Sequence, residues 1–226
     1  VPNSFLGFPV PRAWMADYAK KADCIADIYS AAGIYFQTFF PSLDGFYVSS
    51  TPANGVSISN TKLSLATAGG GTDFASIYKD PDTWTTLLSW AKKAKFKVDA
   101  LFIGTTDSLP KMDILWGRED SYRHFGFCVR AGVLYGTVGN GSAEALTAAL
   151  ADWGSSGYYE NRTLEAIFNV TDCEFWVDGV KLATLSAGLP TGTTHANWLF
   201  RAYVRANASA NYHGLNLSFF KAWKEI

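Results

Sequence analysis

The spacing of apolar and polar residues changes period once along this chain. From Arg12 to Ala32 the apolar residues Trp14, Tyr18, Ile25, Ile28 and Ala32 recur close to helical spacing, and Gly33 closes the run. That stretch predicts a helix, preceded over residues 1–11 by an extended, proline-containing arm. After Gly33 the period is two. Strands are predicted at 34–40, 46–50, 56–58, 62–67, 74–79, 93–103, 112–117, 125–129, 133–138, 163–170, 196–205 and 214–223. The 93–103 run is the plainest of them. Phe96, Val98, Ala100 and Phe102 alternate with Lys95, Lys97 and Asp99, giving one apolar face and one wet face.

Two hairpins stand out. In Cys173–Leu185, two β-type runs meet at Asp178-Gly179, a dipeptide suited to a two-residue turn with both residues at positive φ. The expected register sets Val177 against Val180 and Phe175 against Leu182 on an apolar face. On the wet face it sets Trp176 against Lys181 and Glu174 against Ala183. The second hairpin crosses Arg130-Ala131-Gly132, read as a three-residue loop ending in a left-handed glycine. Short strands with turns at roughly 8–12-residue intervals argue for an all-β sandwich or barrel. The expected organisation is an arm and helix over 1–33 and a β-sandwich domain over 34–226. The helical stripe is too short for a long coiled coil, which favours docking on the sandwich; a homo-oligomer formed through that helix is the alternative.

Composition narrows the setting. With 48% hydrophobic and 15% aromatic residues, a 226-residue chain can build a substantial core. Charged residues make up 17%, below the roughly 25% of an average soluble domain. Ser, Thr, Asn and Gly therefore take much of the surface, as is common in secreted and virion β proteins. A formal net charge of −1 gives nucleic acid or an anionic membrane nothing to bind, and no apolar run reaches the roughly 18 residues of a membrane span. The chain opens Val1-Pro2 without Met, as a processed product would, and carries Asn-x-Ser/Thr sequons at Asn140, Asn161, Asn169, Asn207 and Asn216. An extracellular or virion location is the expectation. Cys24, Cys128 and Cys173 have no metal-type spacing, and the latter two are expected to be buried free thiols.

The order of segments is familiar. Leu43-Asp44-Gly45-Phe46 leads to Asn60-Thr61-Lys62-Leu63-Ser64-Leu65, then to the long strand Phe96-Lys97-Val98-Asp99-Ala100. The hairpin around Phe125-Gly126-Phe127 and Gly132-Val133-Leu134-Tyr135 follows, and Glu174-Phe175-Trp176-Val177-Asp178-Gly179 completes the series. Over about residues 34–226 this resembles the concanavalin A-like lectin/glucanase superfamily, especially its laminin-G-like members. The resemblance implies a jelly roll of two antiparallel sheets. Its members include lectins, glycoside hydrolases, polysaccharide lyases, adhesion modules and parts of phage and virus structural proteins, so the fold by itself names no activity. Many relatives bind calcium, and calcium is the one cofactor the resemblance leaves open.

The residues offer little chemistry. The glucanase branch needs two acids on one strand face, one to protonate the leaving oxygen and one to attack. Its Glu-x-Asp-x-x-Glu string is absent, and the nearest imitation is Asp172-x-Glu174-x-Trp176. His124, His195 and His213 are scattered, with neither metal-binding nor triad spacing. For binding, aromatics on wet faces or loops matter, because Trp and Tyr give sugars a flat apolar platform with a polar edge. The candidates are Trp153, Tyr158 and Tyr159 in one loop, Trp176 on the wet face of its hairpin, and Trp116 at the end of its strand. The expectation is a non-enzymatic lectin-like module for attachment or assembly on a virion or cell surface, contacting a glycan or a partner protein. The alternative is a carbohydrate-active enzyme of the same fold.

Overall fold

The structure, a computed structural model, describes residues 4–5, 8–9, 33–38, 40, 42–44, 46–51, 55–60, 62–67, 73–79, 89–104, 111–117, 123–152, 158–192, 200–205 and 212–225. The helix expected at 12–32 lies outside them. The strands in chain order are β1 (Ser4–Phe5), β2 (Phe8–Pro9), β3 (Gly33–Thr38), β4 (Tyr47–Thr51), β5 (Val56–Ser59), β6 (Lys62–Thr67), β7 (Phe74–Lys79), β8 (Ala94–Gly104) and β9 (Lys111–Gly117). They continue as β10 (Arg123–Arg130), β11 (Val133–Asn140), β12 (Glu144–Leu146), β13 (Ala151–Asp152), β14 (Tyr158–Phe168), β15 (Cys173–Val177), β16 (Val180–Leu185), β17 (Phe200–Arg205) and β18 (His213–Glu225). Within the expected arm, β1 and β2 pair as a small hairpin.

The other strands form two antiparallel eight-stranded sheets. The first runs β12-β11-β10-β9-β17-β7-β4, with β13 also pairing β11. The second runs β16-β15-β14-β8-β18-β6-β5, with β3 also pairing β18. The late strand β17 inserts between β9 and β7, and β18 inserts between β8 and β6, so each sheet is completed by chain that returns from the far end.

The core lies between the sheets and is rich in aromatics. Phe96 packs against Phe125, Phe127 and Phe220 at centroid distances of 5.6, 6.3 and 5.5 Å, and Trp90 sits edge-on to Phe168 at 5.8 Å. Burying a side chain of this size contributes on the order of 2–3 kcal/mol each, which suits a fold without a staple; Cys128 and Cys173 are free and buried. Gly136 on β11 faces Phe175 on β15, and any Cβ there would overlap the Phe175 ring. That glycine lets the two sheets close.

The Asp178-Gly179 turn forms as expected, with φ of 51° and 81°. Val177 pairs Val180 and Trp176 pairs Lys181, but a bulge between Phe175 and Trp176 moves the rest of the register. Phe175 opposes Ala183 rather than Leu182, and Glu174 opposes Thr184 rather than Ala183. The physical reason is position. β16 is the sheet's edge, so Val180 and Leu182 stay 57% and 46% exposed instead of forming a core face. The second hairpin also differs: Arg130 pairs Val133 directly, leaving a two-residue turn of Ala131 (φ 49°) and Gly132 (φ 76°).

Candidate functional site

In a two-layer sandwich each sheet turns one face to the core and one outward. Along β9, Met112, Ile114 and Trp116 enter the core, which points Lys111, Asp113 and Leu115 outward. The same alternation turns His124 and Cys128 outward on β10, Tyr135 and Thr137 on β11, Arg201 and Tyr203 on β17, and Tyr78 on β7. Register then assembles rows across strands that are far apart in sequence. One row is Tyr135, Cys128, Asp113, Tyr203, Ser76 and Ser49; the next contains Leu115, Arg201, Tyr78 and Tyr47.

Much of this outward face is buried. Asp113 is 1% exposed and His124 and Thr137 are 0% exposed. The polar groups are held by one another. Asp113 meets Arg130 at 2.7 Å, with Arg201 and Lys111 each at 3.8 Å. Burial pulls the Arg130 guanidinium downward in pKa, but the neighbouring negative groups together, Asp113 foremost and Glu144 with it, more than reverse this and leave it raised. Arg130 also donates to the carbonyls of Met112 and Val129 and lies 3.6 Å from Glu144. Thr137 donates to Glu144 at 2.8 Å, so its hydroxyl oxygen accepts from His124 Nε2 at 3.1 Å. Aromatics flank this network. The Arg201 guanidinium sits 4.5 Å from the Tyr203 ring centre, Tyr203 stacks on Phe74 at 6.3 Å, and Tyr78 stacks on Tyr47 at 5.0 Å. Tyr47, at the sheet edge, is 48% exposed.

The outward face of the second sheet is more open. Trp176 lies there, its indole N–H donating to Glu174 at 3.1 Å, and Lys181 takes the other Glu174 oxygen at 3.1 Å. Lys97 approaches Glu165 at 3.9 Å, and the Lys95 ammonium lies 5.7 Å from the Trp223 ring centre.

The aromatics singled out from sequence do not gather in one place. Trp116 is a correction: it is 2% exposed and stacked on Phe125 at 5.6 Å, so it belongs to the core and offers no face to a ligand. Its strand alternates inward at even positions, and residue 116 is one of them. Trp153 lies outside the described residues. Tyr158 and Tyr159 open β14, and Tyr159 is 71% exposed. Trp176 pairs Glu165, six residues along β14 from Tyr159, which separates the two aromatics by about 20 Å. Missed by sequence reasoning were Asp113, Arg130, Arg201, Tyr203, Tyr78 and Tyr47. Only a charge at an outward position of an otherwise apolar strand, Asp113 in Lys111–Gly117, could have flagged them.

Both acid pairs are engaged by neighbouring side chains. Glu174 is held by Trp176 and Lys181, and Asp172 accepts from Asn169 at 2.9 Å in the preceding turn. The Arg130 guanidinium bridges Asp113 and Glu144, at 2.7 and 3.6 Å. Among the described residues, no group of three or more His, Cys, Asp or Glu gathers where it could hold a metal ion, so the calcium left open by resemblance has no such cradle there.

No family model matches the chain, and no curated protein matches it in sequence. Solved structures do. The chain is similar to the Emp47p carbohydrate recognition domain (TM-score 0.58, 7% identity, covering 85% of this chain and 95% of that one). It is similar to a Bacillus licheniformis β-glucanase (TM-score 0.58, 9% identity, 85% and 98% covered). It is also similar to a protein of unknown function from Shewanella oneidensis MR-1 (TM-score 0.57, 10% identity, 99% and 97% covered). The fold is that of the concanavalin A-like lectins and glucanases.

Proposed function

We propose that this chain is a non-enzymatic, lectin-like carbohydrate-binding module whose ligand lies on the outward face of the first sheet. The observation that carries the reading is the row of Tyr47, Tyr78 and Arg201, with Tyr203 beside Asp113 in the adjacent row. Sugar recognition calls for flat apolar platforms next to fixed, directional hydrogen-bonding groups, and this face combines both. The fold shared with a carbohydrate recognition domain supports the reading, and the Arg130 guanidinium between Asp113 and Glu144 argues against hydrolysis. The same reading puts the module on a cell or virion surface, supported by its low share of charged residues.

A glycan array followed by calorimetry tests it. Tyr47→Ala with Tyr78→Ala is expected to weaken the best glycan about tenfold while the fold survives, since about 1.4 kcal/mol of stacking is lost. Binding untouched by that change would remove the site from this face. A parallel hydrolysis screen on β-glucans and alginates should show no turnover. Turnover abolished by Glu144→Gln or Asp113→Asn would overturn the non-enzymatic reading in favour of a carbohydrate-active enzyme.

A further inference from the structure

The outward face of the first sheet has one charged side chain that its buried network leaves over. The end row of that face runs Arg130, Lys111, Arg205, Phe74 and Thr51 across β10, β9, β17, β7 and β4. Val133 and Asp152 extend it on the far side of Arg130. Arg130 meets Asp113 at 2.7 Å, and Lys111 and Arg201 reach the same carboxylate at 3.8 Å, so one acid serves three cations. Asp152 and Asp73, the residue before Phe74, are engaged by other groups. Arg205 is exposed at the end of β17 and makes no ion pair among the described residues.

An aromatic surface adjoins that guanidinium. Phe74 lies directly opposite Arg205, and Tyr203 stands two residues back on the same side of β17, about 7 Å along the strand. The Phe74 and Tyr203 rings are 6.3 Å apart at 28°, and both are only partly buried. Arg201 covers one side of the Tyr203 ring at 4.5 Å. Burial holds the Tyr203 hydroxyl above its ordinary pKa even with Arg205 and Arg201 nearby, so it stays protonated and able to donate. Ser49 and Thr51, both exposed, add hydroxyls at the β4 edge.

We infer that the sugar bound on this face carries a carboxylate, which Arg205 takes while the ring lies on Phe74 and Tyr203. The inference rests on the sugar-binding reading above and narrows its ligand to an acidic sugar. A guanidinium offers two parallel N–H groups that match a carboxylate, and the neighbouring rings offer the flat apolar surface a pyranose uses. One free guanidinium suits a single charge set beside a ring, as in a uronic or sialic acid. Nucleic acid or a heavily sulfated chain calls for a row of free cations, and Arg130, Lys111 and Arg201 are committed to Asp113.

Titration calorimetry of the full chain tests this with trigalacturonate, trimannuronate and sialyllactose, each beside its methyl ester, and with dextran sulfate and polyglutamate. At least one carboxylated sugar is expected to bind. Its ester, which keeps the ring and loses the charge, should bind about tenfold more weakly. Arg205→Gln should bring the acid down to the affinity of its ester, and Arg205→Lys should restore part of the difference. Phe74→Ala should weaken acid and ester alike, and circular dichroism checks that each variant is folded. An ester bound as tightly as its acid, an acid preference that survives Arg205→Gln, or dextran sulfate or polyglutamate bound as tightly as the sugar would each overturn the inference. A glycan weakened by Tyr47→Ala with Tyr78→Ala yet bound without any acid preference would overturn it alone and leave the sugar site standing. Failure of every glycan, neutral or acidic, would overturn both.

Discussion

The two outward faces of this sandwich use charge in opposite ways. On the first sheet the charges cluster around buried groups: Asp113 sits among Arg130, Arg201 and Lys111, and the buried His124 is joined to Glu144 through Thr137. On the second sheet the lysines and glutamates lie nearer solvent: Lys97 stands 3.9 Å from Glu165, and Lys181 meets Glu174 at 3.1 Å. Both faces come from strands with the same alternation, so period alone does not set the cost of a charge. The surroundings set it. A carboxylate shut away from water depends on its partners for several kcal/mol, whereas a solvated one depends on them for almost nothing.

The largest test of that contrast is Arg130→Ala. It strands Asp113 without its 2.7 Å partner and should cost about 3–5 kcal/mol in urea denaturation, while Lys97→Ala should stay within about 0.5 kcal/mol. Equal effects would mean that the two faces are electrostatically alike. Next comes Lys224, which points into the core side of the second sheet, is 3% exposed and has no acceptor for its ammonium. Burial, helped by Lys92, lowers its pKa to about 8. Below pH 8 the folded chain therefore carries a buried charge, and between about 8 and the ordinary 10.5 the unfolded chain binds more protons, so stability rises with pH across that window. Lys224→Met should stabilise the protein by roughly 1–2 kcal/mol at pH 7, and the gain should shrink by pH 10 in pH-resolved melts. A gain that stays constant with pH would assign the effect to packing.

A smaller effect is expected for the solvated pair Glu174–Lys181. A double-mutant cycle should give about 0.5 kcal/mol, fading in high salt, because 46% of the Lys181 side chain is exposed. The least change is expected at the thiols. Burial pushes both Cys128 and Cys173 well above the ordinary thiol range, although Cys128 faces outward and Cys173 inward. Neither should react with iodoacetamide at pH 8 in the native state, and both should react in denaturant. Fast labelling of Cys128 alone would show that the side chains covering it open readily.

Local pattern predicted most strands well because it reports the alternation that a half-buried strand must have. The bounds of β6 and β7 agree with it, and β8 differs by one residue at each end. It failed where the answer depended on neighbours. The 173–185 pattern predicts one apolar face of Val177, Val180, Phe175 and Leu182 and one wet face, but β16 has no strand beyond it among the described residues, and a bulge turns Leu182 out of register. Trp116 looked like a strand-end platform; the parity of β9 sends it into the core. At the candidate site, Asp113, Arg130, Arg201 and Tyr78 come from four different strands, and no spacing in the chain relates them.

By itself, then, the sequence determined a β-sandwich over most of the chain, with an aromatic core, a tight Asp178-Gly179 hairpin and wet-face lysines on β8. Each of these follows from side chains within a few residues of one another. Only the tertiary structure decided which charges are buried, which aromatics share a face and which strand is the edge. Those properties arise from pairing between segments as distant as Tyr78 and Arg201, where β-sheet register, not sequence proximity, sets the contact.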